Sequence, residues 1–158
     1  MEATGTEPEV ECRDSEWTDI RARLRHSRFY LIHRRGGAVS FAFPRKRALA
    51  ILSTDKDCAY CGSAIAAWKG LQARYPGADW YIYDRKHSYA ATALSEQRVD
   101  ASRILTEAST TSQFSILAAS TPSFLLISRS GNVLGYWKGE MSRTQVRLIE
   151  ATLDNLFF

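Results

Sequence analysis

The feature that most constrains this chain is Cys58-Ala59-Tyr60-Cys61, set between a strand-like run and a helix-like run. Upstream, Ala48-Leu49-Ala50-Ile51-Leu52-Ser53 has the short apolar character of a strand buried on both faces. Thr54 to Asp57 follow as a loop. Downstream, Ile65, Trp68, Leu71 and Tyr75 share one side of a helix that stops at Pro76-Gly77. Two thiols separated by two residues at a helix start can close a small disulfide ring. The first of them then faces unpaired backbone N–H groups and the positive end of the helix dipole. Both favour its thiolate, the form that attacks disulfides. The spacing and its context therefore point to a redox dithiol.

The rest of the composition leaves that chemistry as the explanation for the pair. With 158 residues, 45% of them apolar, the chain can bury a core without covalent staples. Three cysteines are too few for a disulfide scaffold. Cys12 reads as an incidental free thiol in a tail. No second pair stands at metal-ligand spacing beside Cys58 and Cys61, so no metal and no cofactor are expected. No apolar run approaches the ~18 residues of a membrane span. Met1-Glu2-Ala3-Thr4-Gly5 carries an acid and no apolar stretch, so no secretory signal is visible there.

The formal charge of +4 is unevenly spread. Arg21 to Arg47 holds nine Lys or Arg and no acid, which leaves about −5 for the remainder (+4 less +9). Such a block can bring a chain near anionic lipid. No aromatics interleave it at a nucleic-acid motif spacing, so it reads as a solvated Arg-rich surface and no nucleic acid is expected.

Along the chain, residues 1–14 are acidic, polar and without period, a flexible tail. Trp17, Ile20 and Leu24 mark one face of a short helix capped by Asp14 or Ser15. Phe29 to His33 and Val39 to Phe43 read as a hairpin around Gly36-Gly37, ended by Pro44. Ala78 to Tyr83 is the next strand after the dithiol helix, completing a right-handed βαβ unit. Ala91 to Ser109 reads as helical, with Leu94, Val99, Ile104 and Leu105 as apolar positions. Ser123 to Ser128 and Val133 to Trp137 form a second hairpin around Ser130-Gly131-Asn132, closed by Gly139. Ser142 caps a last helix with Val146, Ile149, Leu153 and Leu156 on one face. From Ala48 the order is β-α-β-α-β-β-α. The expected divisions are a tail (1–14), a helix and hairpin extension (15–44) and a main domain (45–158).

With the dithiol after the first strand of that order, the string Thr121-Pro122-Ser123-Phe124-Leu125-Leu126-Ile127, then Ser130-Gly131-Asn132-Val133 and Lys138-Gly139, resembles the C-terminal half of thioredoxin-like proteins. It looks most like the TlpA/ResA branch of thiol–disulfide oxidoreductases, over about residues 45–157. The resemblance implies an α/β thioredoxin-like fold, a central mixed sheet flanked by helices. It implies a cis bond before Pro122, packed beside the dithiol, with Cys58 as nucleophile and Cys61 as resolving thiol. Pro122 would shape the substrate groove beside Tyr60, and the Thr121 backbone would pair with an extended substrate. Partners would be protein disulfides or dithiols and a redox partner protein. The chain departs from thioredoxin itself, which has Trp before its first cysteine and Gly-Pro between the two; here these are Asp57 and Ala59-Tyr60. Tyr60 echoes the Pro-Tyr of glutaredoxins. The acid that thioredoxin buries beneath its dithiol has no match, because the position six before Cys58 is Leu52.

Reactivity depends on how far the fold favours the Cys58 thiolate. The helix terminus and Lys56 lower its pKa, and Asp55 and Asp57 oppose them. The balance predicts a pKa nearer ~7 than the ~3.5 of strong oxidants, and so a reductant. The loop Asp84-Arg85-Lys86-His87 should open on the same sheet edge, where His87 or Lys86 can tune Cys58 or shuttle protons. Two alternatives stay open: a disulfide oxidase or isomerase, and a thioredoxin-fold binding module without turnover. With a leader or anchor ahead of residue 1, the resemblance implies an extracytoplasmic, tethered protein; without one, a cytoplasmic protein. The oligomeric state is not addressed by any motif.

Overall fold

The computed structural model describes residues 29–33, 38–55, 58–84, 98–108 and 118–157. Seven strands form one mixed sheet: β1 (Phe29–His33), β2 (Ala38–Phe41), β3 (Leu49–Thr54), β4 (Asp79–Asp84), β5 (Ile104–Ala108), β6 (Ser123–Ile127) and β7 (Val133–Lys138). The described helices are α1 (Cys61–Arg74) and α2 (Arg143–Phe157), with a single 3₁₀ turn at Ala101–Arg103. Across the sheet the order is β2-β1-β5-β4-β3-β6-β7. β3, β4 and β5 run parallel, whereas β6 runs antiparallel to β3 and β7 antiparallel to β6. No described helix is long and apolar enough to cross a membrane.

β3 is central because its sequence suits both sides. All six residues are buried. Ala50 and Leu52 join one apolar cluster, Leu49 and Ile51 the other, as strand alternation requires. The first cluster receives Ala64, Ile65, Trp68 and Leu71 of α1 and Ile149 and Leu153 of α2, so both described helices cover the same face. Trp68 and Trp80 meet edge to face at 6.3 Å, and each indole N–H donates to a main-chain carbonyl, of Tyr81 and Tyr75 respectively. Such donors need partners once buried, and these have them. Trp68, Trp80, Trp137, Tyr81 and Tyr83 build core and sheet faces.

One element differs from expectation. Residues 104–108 are a strand and not the end of a helix, and Arg98–Asp100 precede them as a turn and extended chain. Residues 85–97 and 109–117 lie outside the described residues. The reason lies in the burial of successive side chains: Ile104, Leu105 and Thr106 are all buried. Neighbours on a helix stand ~100° apart and share a side, while neighbours on a strand face opposite ways. Ile104 joins the helix-side cluster and Leu105 the opposite one. This strand pairs with β4 through Ile82↔Ile104 and Tyr83↔Leu105, and with β1 through Leu31↔Ala108 and Ile32↔Glu107. The N-terminal hairpin strands thereby continue the same sheet.

Two residues of the basic block are structural. Arg45 donates to Asp79 Oδ2 at 2.6 Å, and Arg47 reaches Asp79 Oδ1 and the carbonyls of Pro76, Gly77 and Ala78. They hold the turn between α1 and β4 at the sheet edge opposite the dithiol. The tail, the Trp17–Leu24 helix and the Gly36-Gly37 turn lie outside the described residues.

Candidate functional site

The dithiol sits where β3 hands over to α1. The chain leaves Thr54, passes Asp55, and turns back through Cys58, whose N–H donates to the Asp55 carbonyl at 3.2 Å. Ala59 and Tyr60 form the turn, and Cys61 is the first helical residue. Cys58 and Cys61 form a disulfide with Cα atoms 5.4 Å apart, within the span a disulfide allows. The helix starts without a side-chain cap and with no acid in its first turn. Ser63 Oγ donates to the Tyr60 carbonyl and the Ala64 N–H joins it at 3.0 Å, which fixes the turn against the helix. Cys58 is only partly buried, whereas Cys61 is fully buried. Tyr60, 50% exposed, stands on the rim between them.

Sheet register brings the second landmark to this edge. β6 runs antiparallel to β3 with Ser53 opposite Ser123. One step further along, Pro122 and Thr121 therefore reach the end of β3 at Thr54 and Asp55. The Thr121–Pro122 bond is cis, as the resemblance implies. A second cis bond, Phe43–Pro44, ends the N-terminal hairpin. Pro122 is buried and Thr121 half-buried. Two hydrogen bonds hold the segment. The Pro122 carbonyl accepts from the Gly139 N–H at 2.9 Å, with Gly139 at φ +88°, a conformation that side chains with a Cβ disfavour. The Ala118 carbonyl accepts from Ser53 Oγ at 2.8 Å, in the interior.

The structure thus gathers Cys58, Cys61, Tyr60, Thr121 and Pro122 at one edge. Lys56 and His87, the expected tuning groups, lie outside the described residues, as do Asp57 and Lys86. Leu52 is completely buried among apolar neighbours, so the strand ahead of the dithiol offers no acid from that position. Sequence reasoning missed two groups here. Ser53 is an unremarkable serine until its hydroxyl is seen to bridge 65 residues. Asp84, read as the start of a polar loop, is fully buried as the last residue of β4.

No protein-family model and no curated protein sequence matches this chain. Solved structures do. A protein of Chlorobium tepidum named as a thiol:disulfide interchange protein DsbE superposes with TM-score 0.63 at 18% identity, covering 84% of this chain and 95% of that one. A secreted disulfide oxidoreductase of Mycobacterium tuberculosis, homologous to E. coli DsbE, gives 0.60 at 12% identity, covering 85% and 98%. StoA from Bacillus subtilis gives 0.52 at 13%, covering 80% and 96%. The chain has a thioredoxin-like fold. At these identities the likeness is one of fold, and it spans nearly the whole of each solved thioredoxin-like structure.

Proposed function

We propose that this chain is a thiol–disulfide oxidoreductase that reduces protein disulfides. The observation that carries the reading is the asymmetry of the dithiol. A partly exposed Cys58 precedes the uncapped start of α1, bonded to a Cys61 that solvent does not reach. Only Cys58 is accessible to a substrate sulfur. In the reduced protein its thiolate attacks a substrate disulfide, breaking that S–S bond and forming a mixed disulfide. Cys61 then attacks the Cys58 sulfur, and the substrate leaves with both its sulfurs reduced while the protein dithiol is oxidised. A dithiol protein or small dithiol must reduce Cys58–Cys61 again.

The remaining groups have roles of position. Tyr60 offers a half-exposed ring to the substrate beside the sulfur. Thr121, on the strand end next to the dithiol, offers backbone groups to an extended peptide, and Pro122 walls the groove. The direction follows from charge. The positive end of α1 favours the Cys58 thiolate, while Asp55, whose carbonyl accepts from Cys58 N–H, carries a nearby carboxylate that opposes it. A moderately stabilised thiolate belongs to a reductant.

The test is the reduction potential of Cys58–Cys61, from equilibration with dithiothreitol and thiol trapping, together with disulfide turnover by the wild type and Cys58→Ser. A potential near or below about −250 mV and loss of turnover in Cys58→Ser are expected. A potential above about −150 mV would make it an oxidant. Partner binding that survives Cys58→Ser, with no turnover by the wild type, would make it a binding module.

A further inference from the structure

The Pro122 carbonyl is held by a residue just outside the sheet. The β6–β7 register ends with Ser123 opposite Lys138, the last residue of β7. Gly139 follows at φ +88° and still donates its N–H to the Pro122 carbonyl at 2.9 Å. Past the end of a ladder a backbone frays unless something else fixes it. Gln145, in the first turn of α2, supplies the fixture. Its Nε2 donates to the Lys138 carbonyl at 3.0 Å and to the Glu140 carbonyl at 2.8 Å, the groups on either side of Gly139. Both neighbours are acceptors, so only the amide nitrogen can face them, and both its hydrogens are used. The root of the side chain is fixed as well, because the Gln145 N–H donates to Ser142 Oγ at 3.2 Å. Ser142-Arg143-Thr144-Gln145 has the spacing of a capping box, in which the glutamine would accept from the N–H of the capping serine. Here the Ser142 N–H goes to the Glu140 carbonyl at 2.9 Å instead, and the carboxamide donates to the strand end.

We propose that Gln145 is a positioning residue for substrate docking. Its clamp on the Lys138 and Glu140 carbonyls holds the Gly139 N–H against the Pro122 carbonyl. It thereby sets where the Thr121 backbone meets an extended substrate beside Cys58. This rests on the oxidoreductase reading. Exposure decides what the clamp is worth. Lys138, Gly139 and Glu140 are exposed, whereas Pro122 is buried. Without the carboxamide, the carbonyls of Lys138 and Glu140 pass to water, so folding loses little. What is lost is the constraint on Gly139. The Pro122 carbonyl and Thr121 ahead of it then gain freedom that docking must remove. A glutamate at this position would suit the capping box and the positive end of α2, whose first turn holds no acid. An ionised carboxylate, however, has no hydrogen to donate to the two carbonyls. The position therefore requires an amide donor and not only a helix cap.

The test is Gln145→Glu, with Gln145→Met as its uncharged counterpart. Urea unfolding, hydrogen exchange at the Gly139 amide, and KM and kcat for a peptide disulfide are measured at neutral pH. In both variants the Gly139 amide should exchange about fivefold faster and KM should rise about fivefold, the worth of one net hydrogen bond. The unfolding midpoint should stay in place, and kcat should not fall with the rise in KM. Unchanged Gly139 exchange overturns the clamp, and an unchanged KM overturns its part in docking. A KM that rises in Gln145→Glu alone reports added charge rather than a lost donor, and also overturns the proposal. So does a kcat that falls together with the unfolding midpoint, the mark of a merely structural residue. Should neither variant fold, the Gln145 carboxamide hydrogens of the unsubstituted protein decide. They should exchange more slowly than those of free glutamine, and equal rates refute the clamp. The exchange measurements need no turnover. A wild type that turns over no disulfide sinks the oxidoreductase reading, and Gly139 exchange still judges the clamp separately.

Discussion

Replacing Ser53 by Ala removes one oxygen from the interior and should destabilise the protein out of proportion to that change. Ser53 is 2% exposed, and its hydroxyl donates to the Ala118 carbonyl at 2.8 Å. Ala118 is buried too, so water cannot replace the lost donor. A hydrogen bond exchanged for water is worth about 1 kcal/mol net, but a buried carbonyl left without its donor costs about 1–3 kcal/mol. The extra apolar character of alanine offsets only a small part of this, because the methylene it retains is already buried. The expected loss is about 2 kcal/mol. With a urea m-value of about 2 kcal/mol/M for a domain of this size, the unfolding midpoint should fall by about 1 M with m unchanged. The assay is urea unfolding followed by tryptophan fluorescence, with both proteins held oxidised. A loss below about 0.5 kcal/mol would refute the reasoning, since exposed serines behave that way. The bond also ties the strand before the dithiol to the segment before Thr121 and Pro122. On the proposed function, Ser53→Ala should therefore raise KM for a peptide disulfide more than it lowers kcat, and an unchanged KM would separate this bond from substrate binding.

Two further changes probe other parts of the fold. Tyr75 donates its hydroxyl to Asp154 Oδ1 at 2.7 Å, and that bond, then burial, then the Asp154 charge raise its pKa above 10.0. A raised folded pKa means the bond's stabilisation is whole below pH ~10 and lost as pH rises through the folded value. The stability difference between the wild type and Tyr75→Phe should hence be constant from pH 7 to 9 and shrink above ~10, and a difference that grows there would contradict the bond. Gly135→Ala would place a Cβ inside the Trp137 ring, which packs 5.8 Å from Phe124. Displacing that ring should cost about 1–3 kcal/mol and shift tryptophan emission, and a variant with native stability and emission would mean the ring moves freely.

What could be read from the sequence was whatever a short stretch encodes by itself. The run at 48–52 is apolar at every position, so it declared a strand with two covered faces. Ile65, Trp68 and Leu71 repeat at helical spacing and are buried. Ser142 stands ahead of a helical stripe, and its hydroxyl accepts from the Gln145 N–H at 3.2 Å, the bond a capping serine makes. Gly131 and Gly139 sit at positive φ in and after the second hairpin, where a turn residue was expected. These patterns are local because backbone geometry and side-chain direction repeat within a few residues.

The tertiary structure decided what depends on distant partners. Ile104-Leu105 can continue a helical pattern, but the slot between β4 and β1 makes them a strand, because only an extended chain can supply hydrogen bonds to both neighbours. Arg45 and Arg47 look like surface charge until Asp79 and three carbonyls meet them. The candidate site divides along the same line. Its two cysteines are four residues of sequence, and their chemistry is legible there. That Thr121 and Pro122 reach the dithiol is set by the Ser53↔Ser123 register. That Asp84 is buried rather than solvated is set by the two strands beside it. A carboxyl group has no pattern that announces burial: its environment is made by residues far along the chain, and only folding brings them together.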